Sequence, residues 1–284
     1  FRRVLFLSGW MSYLPESIRL QYLAYYFNAA SQQGKEVVVT YKAENDDVNA
    51  SFHQAGSVLD WERGGADSLQ SYFWLTDDSV GNGTWSYIAD PGQMNLTSNI
   101  NNPPLQPQPQ MQSYFVHELI DRVSKNGSLV LSIAPRADGV IPDDQKAILL
   151  RIGGWLKKFG EAIYATRAWT SYGEGPTQLG GAARATTPIA GTNQDVRYTR
   201  SKDNTVLYAI VLGWPGGQLN LSKLGTNQVN LNKLTSVQLI TGANQYSNLS
   251  YTKGASALTV QTGSKPFDTD AYVIKLTFSG AIGS

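Results

Sequence analysis

The chain contains no cysteine, only two histidines, no block of like charge and no long apolar run. Each absence removes a class of function. Without cysteine there is no disulfide, no thiolate nucleophile and no thiolate metal ligand, although the redox compartment stays open. His53 stands alone in a polar loop, so no zinc site is expected. The 23 basic residues are balanced by 22 acidic ones, a net charge of +1, which leaves no electrostatic footprint for a phosphate backbone. Nucleic acid is not expected as a partner. No stretch approaches the roughly 18 apolar residues of a membrane-spanning helix, and the segment before Ser8 is too short for a signal peptide and lacks a cleavage site. No membrane partner is expected. The chain starts on Phe1 rather than Met, which is read as a processed or truncated boundary.

What is present is a globular composition: 284 residues, 42% hydrophobic and 11% aromatic, enough for one large domain or two ordinary ones around a real core. Asn49, Asn82, Asn95, Asn126, Asn220 and Asn248 each open a glycosylation sequon. An Asn- and Ser/Thr-rich chain gives several by chance, so they push only modestly toward a secreted or extracellular protein, with lysosomal and periplasmic sites left open.

The first part alternates strand and helix. Val4 to Leu7 reads as a strand ending at Ser8, and Pro15-Glu16-Ser17 opens a helix that breaks near Gly34. Val37 to Lys42 and Ser57 to Glu62 follow as largely apolar strands, the pattern of a parallel sheet. After Trp74 a Gly/Asn/Pro-rich stretch runs from Gly81 to Gln110, long enough for a functional loop, and Phe115 to Val123 is helical again. Gly127 is read as closing that helix, and Ser128 to Ile133 as a short apolar strand covered on both faces. Asp138-Gly139 marks a turn. Pro142, Asp143 and Asp144 start a helix whose apolar face carries Ile148, Ile152, Trp155 and Phe159. Beyond Trp169, Gly and Thr become common, and alternating runs at Gln194–Tyr198, Thr205–Leu212, Thr235–Ile240, Leu258–Thr262 and Ala271–Phe278 read as antiparallel strands of a sandwich. Residues 1–170 and 171–284 are therefore expected to be separate units. The second shows no catalytic pattern.

Val123-Ser-Lys-Asn-Gly127, Pro135-Arg-Ala-Asp-Gly139 and Gly160-Glu-Ala-Ile-Tyr-Ala-Thr-Arg167 occur in this order, and the string resembles the last strand and helix of the catalytic barrel in the α-L-fucosidases of glycoside hydrolase family 29. The resemblance covers roughly Val4 to Trp169. It implies a fold class of α/β type: the C-terminal part of a (β/α)8 barrel, followed by an antiparallel β-sandwich domain. A closed barrel needs roughly 250 residues, so a second chain or a missing N-terminal segment is expected to complete it; an open half would expose strand edges. The implied reaction is retaining hydrolysis of terminal α-L-fucose from a glycan or oligosaccharide, with no cofactor and no metal.

Retention needs two carboxyl groups about 5 to 5.5 Å apart, a nucleophile and a general acid/base, and barrel chemistry sits at C-terminal strand ends. Glu62 meets that condition, because Asp60-Trp61 leads into it and Arg63-Gly64-Gly65 turns away; the string Asp-Trp-Glu-Arg-Gly also looks like the family's acid/base segment. Its bland alternative is a solvated strand-end carboxylate. The family's nucleophile is an Asp at a strand end matching Val4 to Trp10, where this sequence has Ser8. A serine with no base beside it is a poor nucleophile, which leaves three explanations: an altered or misread Asp, a nucleophile before Phe1, or an inactive glycan-binding homologue. Trp74 to Ser79 and Thr84 to Tyr87 resemble a further pair of family segments, with Leu75 and Ser86 departing from the usual residues. Trp85 is a candidate platform for the fucose methyl or a core aromatic. Trp10, Arg63 and Lys42 complete the candidate substrate contacts, Lys42 alternatively being a solvated strand end. His117, on an apolar helix face, reads as structural.

Overall fold

The computed structural model describes residues 3–7, 15–42, 57–62, 64–80, 85–87, 109–179 and 190–283. Strands β1 (Arg3–Leu7), β2 (Val37–Lys42), β3 (Val58–Glu62), β4 (Trp74–Ser79) and β5 (Gly127–Ser132) form one sheet in that order. All four pairings are parallel. Strand order that follows chain order without reversal is the winding of a barrel rather than of a doubly wound sheet, whose order reverses at a switch point. Helix α1 (Glu16–Gln32) joins β1 to β2, helix α2 (Pro109–Ser124) joins β4 to β5, and helix α3 (Asp143–Phe159) follows β5.

The two faces of this sheet differ. Val39 packs with Leu23, Tyr26 and Phe27 of α1, and Leu131 packs with Phe115 of α2 and Ile148 of α3. That is the helix side, where each large apolar side chain removed from water contributes about 1.5–3 kcal/mol. Side chains alternate along a strand, so the other face takes Thr40 from β2, Val58 and Asp60 from β3, Leu75, Asp77 and Ser79 from β4 and Ser128, Val130 and Ser132 from β5, by their register. It mixes polar with apolar residues, in a fold whose inner layers are usually filled by aliphatic ones.

One local expectation is corrected. Gly127 does not close α2. Asn126 takes the left-handed position at φ 70°, a conformation Asn tolerates better than most residues. Gly127 starts β5 directly beside Trp74, where a Cβ would come within 2.5 Å of the indole.

In the second part, β6 (Thr166–Glu174), β7 (Val196–Ser201), β8 (Val206–Val211), β10 (Leu234–Gly242), β11 (Gln245–Asn248) and β14 (Tyr272–Phe278) form an antiparallel sheet in the order β11-β10-β14-β8-β7-β6. A smaller sheet of β12 (Tyr251–Lys253), β13 (Leu258–Gln261) and β9 (Gln218–Leu221) faces it. The period of two in β8 sorts its residues between two cores. Leu207, Ala209 and Val211 pack with Leu221, Leu258 and Val260 of the small sheet. Tyr208, Ile210 and Leu212 pack with Val116 and Ile120 of α2 and Trp155 and Phe159 of α3. The large sheet is thus buried on both sides, and the helices of the first part form one of its covers. Trp155 reinforces that contact by donating from Nε1 to the Ala271 carbonyl at 3.0 Å.

Candidate active site

Parallel strands bring their C-terminal ends to one rim, and here the rim carries polar residues. Lys42 ends β2 as the Cα partner of Asp60, and Glu62 ends β3 as the Cα partner of Asp77. Since Asp60 and Glu62 are two residues apart, the positions of Lys42, Asp60, Glu62 and Asp77 fall on the same side of the sheet. Asp60 is buried. The hydroxyl of Thr76 donates to the Trp61 carbonyl at 2.9 Å, which pins β4 to β3 one residue before Glu62. The Val80 N–H donates to the Ser132 carbonyl at 3.0 Å and extends the β4–β5 pairing past the end of the strand.

Gly64 has φ +94°, which turns the chain out of the sheet two residues beyond Glu62. The turn then reaches α2. A Cβ built on Gly65 would lie 2.9 Å from Cζ, Nε and Nη1 of Arg122, so the guanidinium plane rests flat on the glycine backbone. Arg122 is itself held: Nη2 donates to Glu118 at 2.8 Å and Nη1 stands 3.7 Å from Asp121. Burial is the main influence on Glu118, and together with the neighbouring Asp78 carboxylate it overrides the pull of Arg122 and pushes Glu118 up to about 8. Tyr114 is raised well above the usual phenol range by burial and then by Glu118. Tyr114, Glu118 and Arg122, at spacings of four, therefore form a polar stripe of α2 against β4 and the turn after β3.

Of the residues singled out in the sequence, Lys42 and Glu62 stand at adjacent strand ends of this rim. Trp85 lies beyond β4 and is 38% exposed, which is not the burial of a core aromatic. Ser8, Trp10 and Arg63 lie outside the described residues. Asp60 and Asp77 escaped the sequence reading, although the period of two backward from Glu62 points to Asp60; Arg122 is betrayed by the i, i+4, i+8 spacing from Tyr114. His117 is structural: Nδ1 accepts the Gly191 N–H at 3.0 Å, Nε2 donates to the Asp270 carbonyl at 2.8 Å, and burial lowers its pKa. Among the described residues no group of three or more His, Asp or Glu is arranged to hold a metal ion.

Residues 4–161 match the family model for alpha-L-fucosidase, and residues 191–277 match that for the alpha-L-fucosidase C-terminal domain. Plasma alpha-L-fucosidase of Rattus norvegicus is 36% identical over 122 residues, which are 41% of this chain and 23% of that protein. Human tissue alpha-L-fucosidase is 31% identical over 174 residues, 61% of this chain and 31% of that protein. Among solved structures, Thermotoga maritima alpha-fucosidase in complex with fucose is 26% identical with a TM-score of 0.58, covering 91% of this chain and 48% of that one. Another alpha-L-fucosidase structure reaches a TM-score of 0.63 at 25% identity, over 96% of this chain and 52% of that one. The chain thus spans about half the length of these solved structures and less of the other relatives. With a parallel sheet wound as in a barrel, an antiparallel domain behind it and family models matching both parts, this chain belongs to the alpha-L-fucosidase family.

Proposed function

We propose that the protein of which this chain forms the C-terminal barrel strands and β-sandwich releases terminal α-L-fucose from glycans with retention of configuration. One observation carries the reading: the carboxylate position expected of the acid/base, Glu62, ends a parallel strand, in register with Asp77 and just before a glycine turn. In the reaction a carboxylate attacks the anomeric carbon while Glu62 gives its proton to the departing oxygen. Glu62 then takes a proton from water, which attacks the anomeric carbon and frees the fucose. The nucleophile belongs at or near the position of Ser8, or on the polypeptide that completes the barrel, whether a second chain or an N-terminal segment. Trp85 and Trp10 are proposed to meet apolar C–H faces of the sugar, and Lys42 and Arg63 its hydroxyls. Residues 1–170 would form the catalytic portion and 171–284 the β-sandwich, in an extracellular or lysosomal protein.

A second reading is favoured by Ser8 standing where the Asp is expected: a fucose-binding homologue without turnover. Release of p-nitrophenol from its α-L-fucoside, with and without azide, separates the two. Turnover without azide supports the enzyme, and Glu62→Gln should then slow it by about 100-fold or more, as loss of a general acid/base does. Rescue by azide alone indicates an intact pocket lacking its carboxylate nucleophile. Fucose binding with no turnover in either condition supports the binding protein and refutes the enzyme for this polypeptide.

A further inference from the structure

We infer that Arg122 of α2 is a positioning residue for Glu62, its guanidinium serving as the floor on which the turn Gly64-Gly65 rests. This depends on the reading of Glu62 as the acid/base. The contact is steric, because three atoms of the guanidinium stand at 2.9 Å from the position of a Gly65 Cβ. Nε of Arg122 has no hydrogen-bond partner among the described residues. The floor is rigid on its far side. Arg122 is buried between Glu118 and Asp121, and Asp121 also binds Lys125 at 2.8 Å and Arg197 of β7 at 2.6 Å. A chain of buried charges therefore runs from the β-sandwich through α2 to the residues that follow Glu62. Because misplacement by about 1 Å can slow a reaction by about 100-fold, the β-sandwich acts on the chemistry through Asp121 and Arg122 without touching substrate.

An alternative role, charge balance for Glu118 and Asp121, makes a different forecast for lysine, which restores the charge but not the planar face. The test compares the wild-type chain with Arg122→Lys and Gly65→Ala in two measurements. In hydrogen exchange, both variants should accelerate the amides of residues 62–66 by about tenfold, while the β-sandwich strands keep their protection. In fucoside hydrolysis, both should lower kcat by about 10- to 100-fold with KM unchanged. A wild-type Arg122→Lys would assign charge balance to Arg122 and overturn the inference. So would unchanged exchange at 62–66, or altered exchange with unaltered kcat. If the wild-type chain turns over neither with nor without azide, the enzyme reading fails on its own, and hydrogen exchange still decides whether Arg122 holds the turn.

Discussion

Replacing Asp121 by alanine should destabilise this protein more than almost any other single change on its surface or at its domain contact. The carboxylate is fully buried, with Nζ of Lys125 at 2.8 Å, Nε of Arg197 at 2.6 Å and Nη1 of Arg122 at 3.7 Å, all three cations being at most 3% exposed. Some compensation exists without it. Lys125 also donates to the Leu179 carbonyl, Arg197 donates to those of Val196 and Thr177, and the ring of Tyr172 lies 5.0 Å from Lys125 Nζ and 5.7 Å from Arg197 Cζ. Those carbonyls and the ring face are dipoles, however, and none offsets a full charge. Breaking a buried ion pair by removing one partner costs about 3–5 kcal/mol, and for a protein of this size each kcal/mol lowers the melting midpoint by about 2–4 °C. A fall of about 6–20 °C is therefore expected by circular dichroism at neutral pH. Asp121→Asn should lie between, since it keeps an acceptor oxygen and loses the charge. Adding Arg197→Met to Asp121→Ala should recover part of the loss, because one stranded cation goes with it. A loss below about 1 kcal/mol, the range of an exposed pair, would refute the claim that this cluster is a buried charge network joining the two parts of the fold.

Two further outcomes are expected. Gly127→Ala puts a methyl 2.5 Å from the Trp74 indole and 2.9 Å from the Arg122 carbonyl, so it should lose about 1–3 kcal/mol in urea unfolding, with the loss reduced in a Trp74→Leu background; equal losses in both backgrounds would exclude the clash. His117 is held neutral in the fold by burial, and its folded pKa lies below its unfolded one. Its contribution is therefore present above about pH 6.5 and is lost as pH falls toward the folded value. Glu118, raised to about 8, acts in the opposite sense, with stability present below its ordinary value near 4.5 and lost as pH rises through 8. The difference between wild type and His117→Gln should isolate the histidine: it should shrink between pH 7 and 5 in thermal melts, and a constant difference would show that His117 is not buried neutral.

Much of this fold is legible in local chemistry. The apolar face of α3 follows from Ile148, Trp155 and Phe159 at helical spacing, all of them buried. The turn at Asp138-Gly139 is written in the dipeptide: Gly139 takes φ +80° and its N–H donates to the Arg136 carbonyl at 2.8 Å. The position of Glu62 at a strand end is legible for the same reason, since the apolar run before it and the glycines after it are neighbours in sequence. The expectation for His117 also needed only its helix face. What failed was every question whose answer lies elsewhere in the chain. The separate roles of Asn126 and Gly127 depend on Trp74, a residue far away in sequence whose indole takes the space of a side chain. Strands β11 and β12 escaped because short edge segments, such as the wholly exposed Gln245–Asn248, bury too little to leave an alternating pattern.

The sequence by itself determined the strand–helix alternation of the first part, the alternation that makes the second part a sandwich, and the family motifs from Val123 to Arg167. These rest on periodicity and on runs of adjacent residues. Only the tertiary structure decided that Asp60 and Asp77 share the face of Glu62. Only it joins Arg122 to Gly65 and Asp121 to Arg197. The physical reason is common to all of these. A side chain's periodicity states which way it faces relative to its own neighbours, whereas burial, register and charge pairing are set by partners brought near only when the chain has folded.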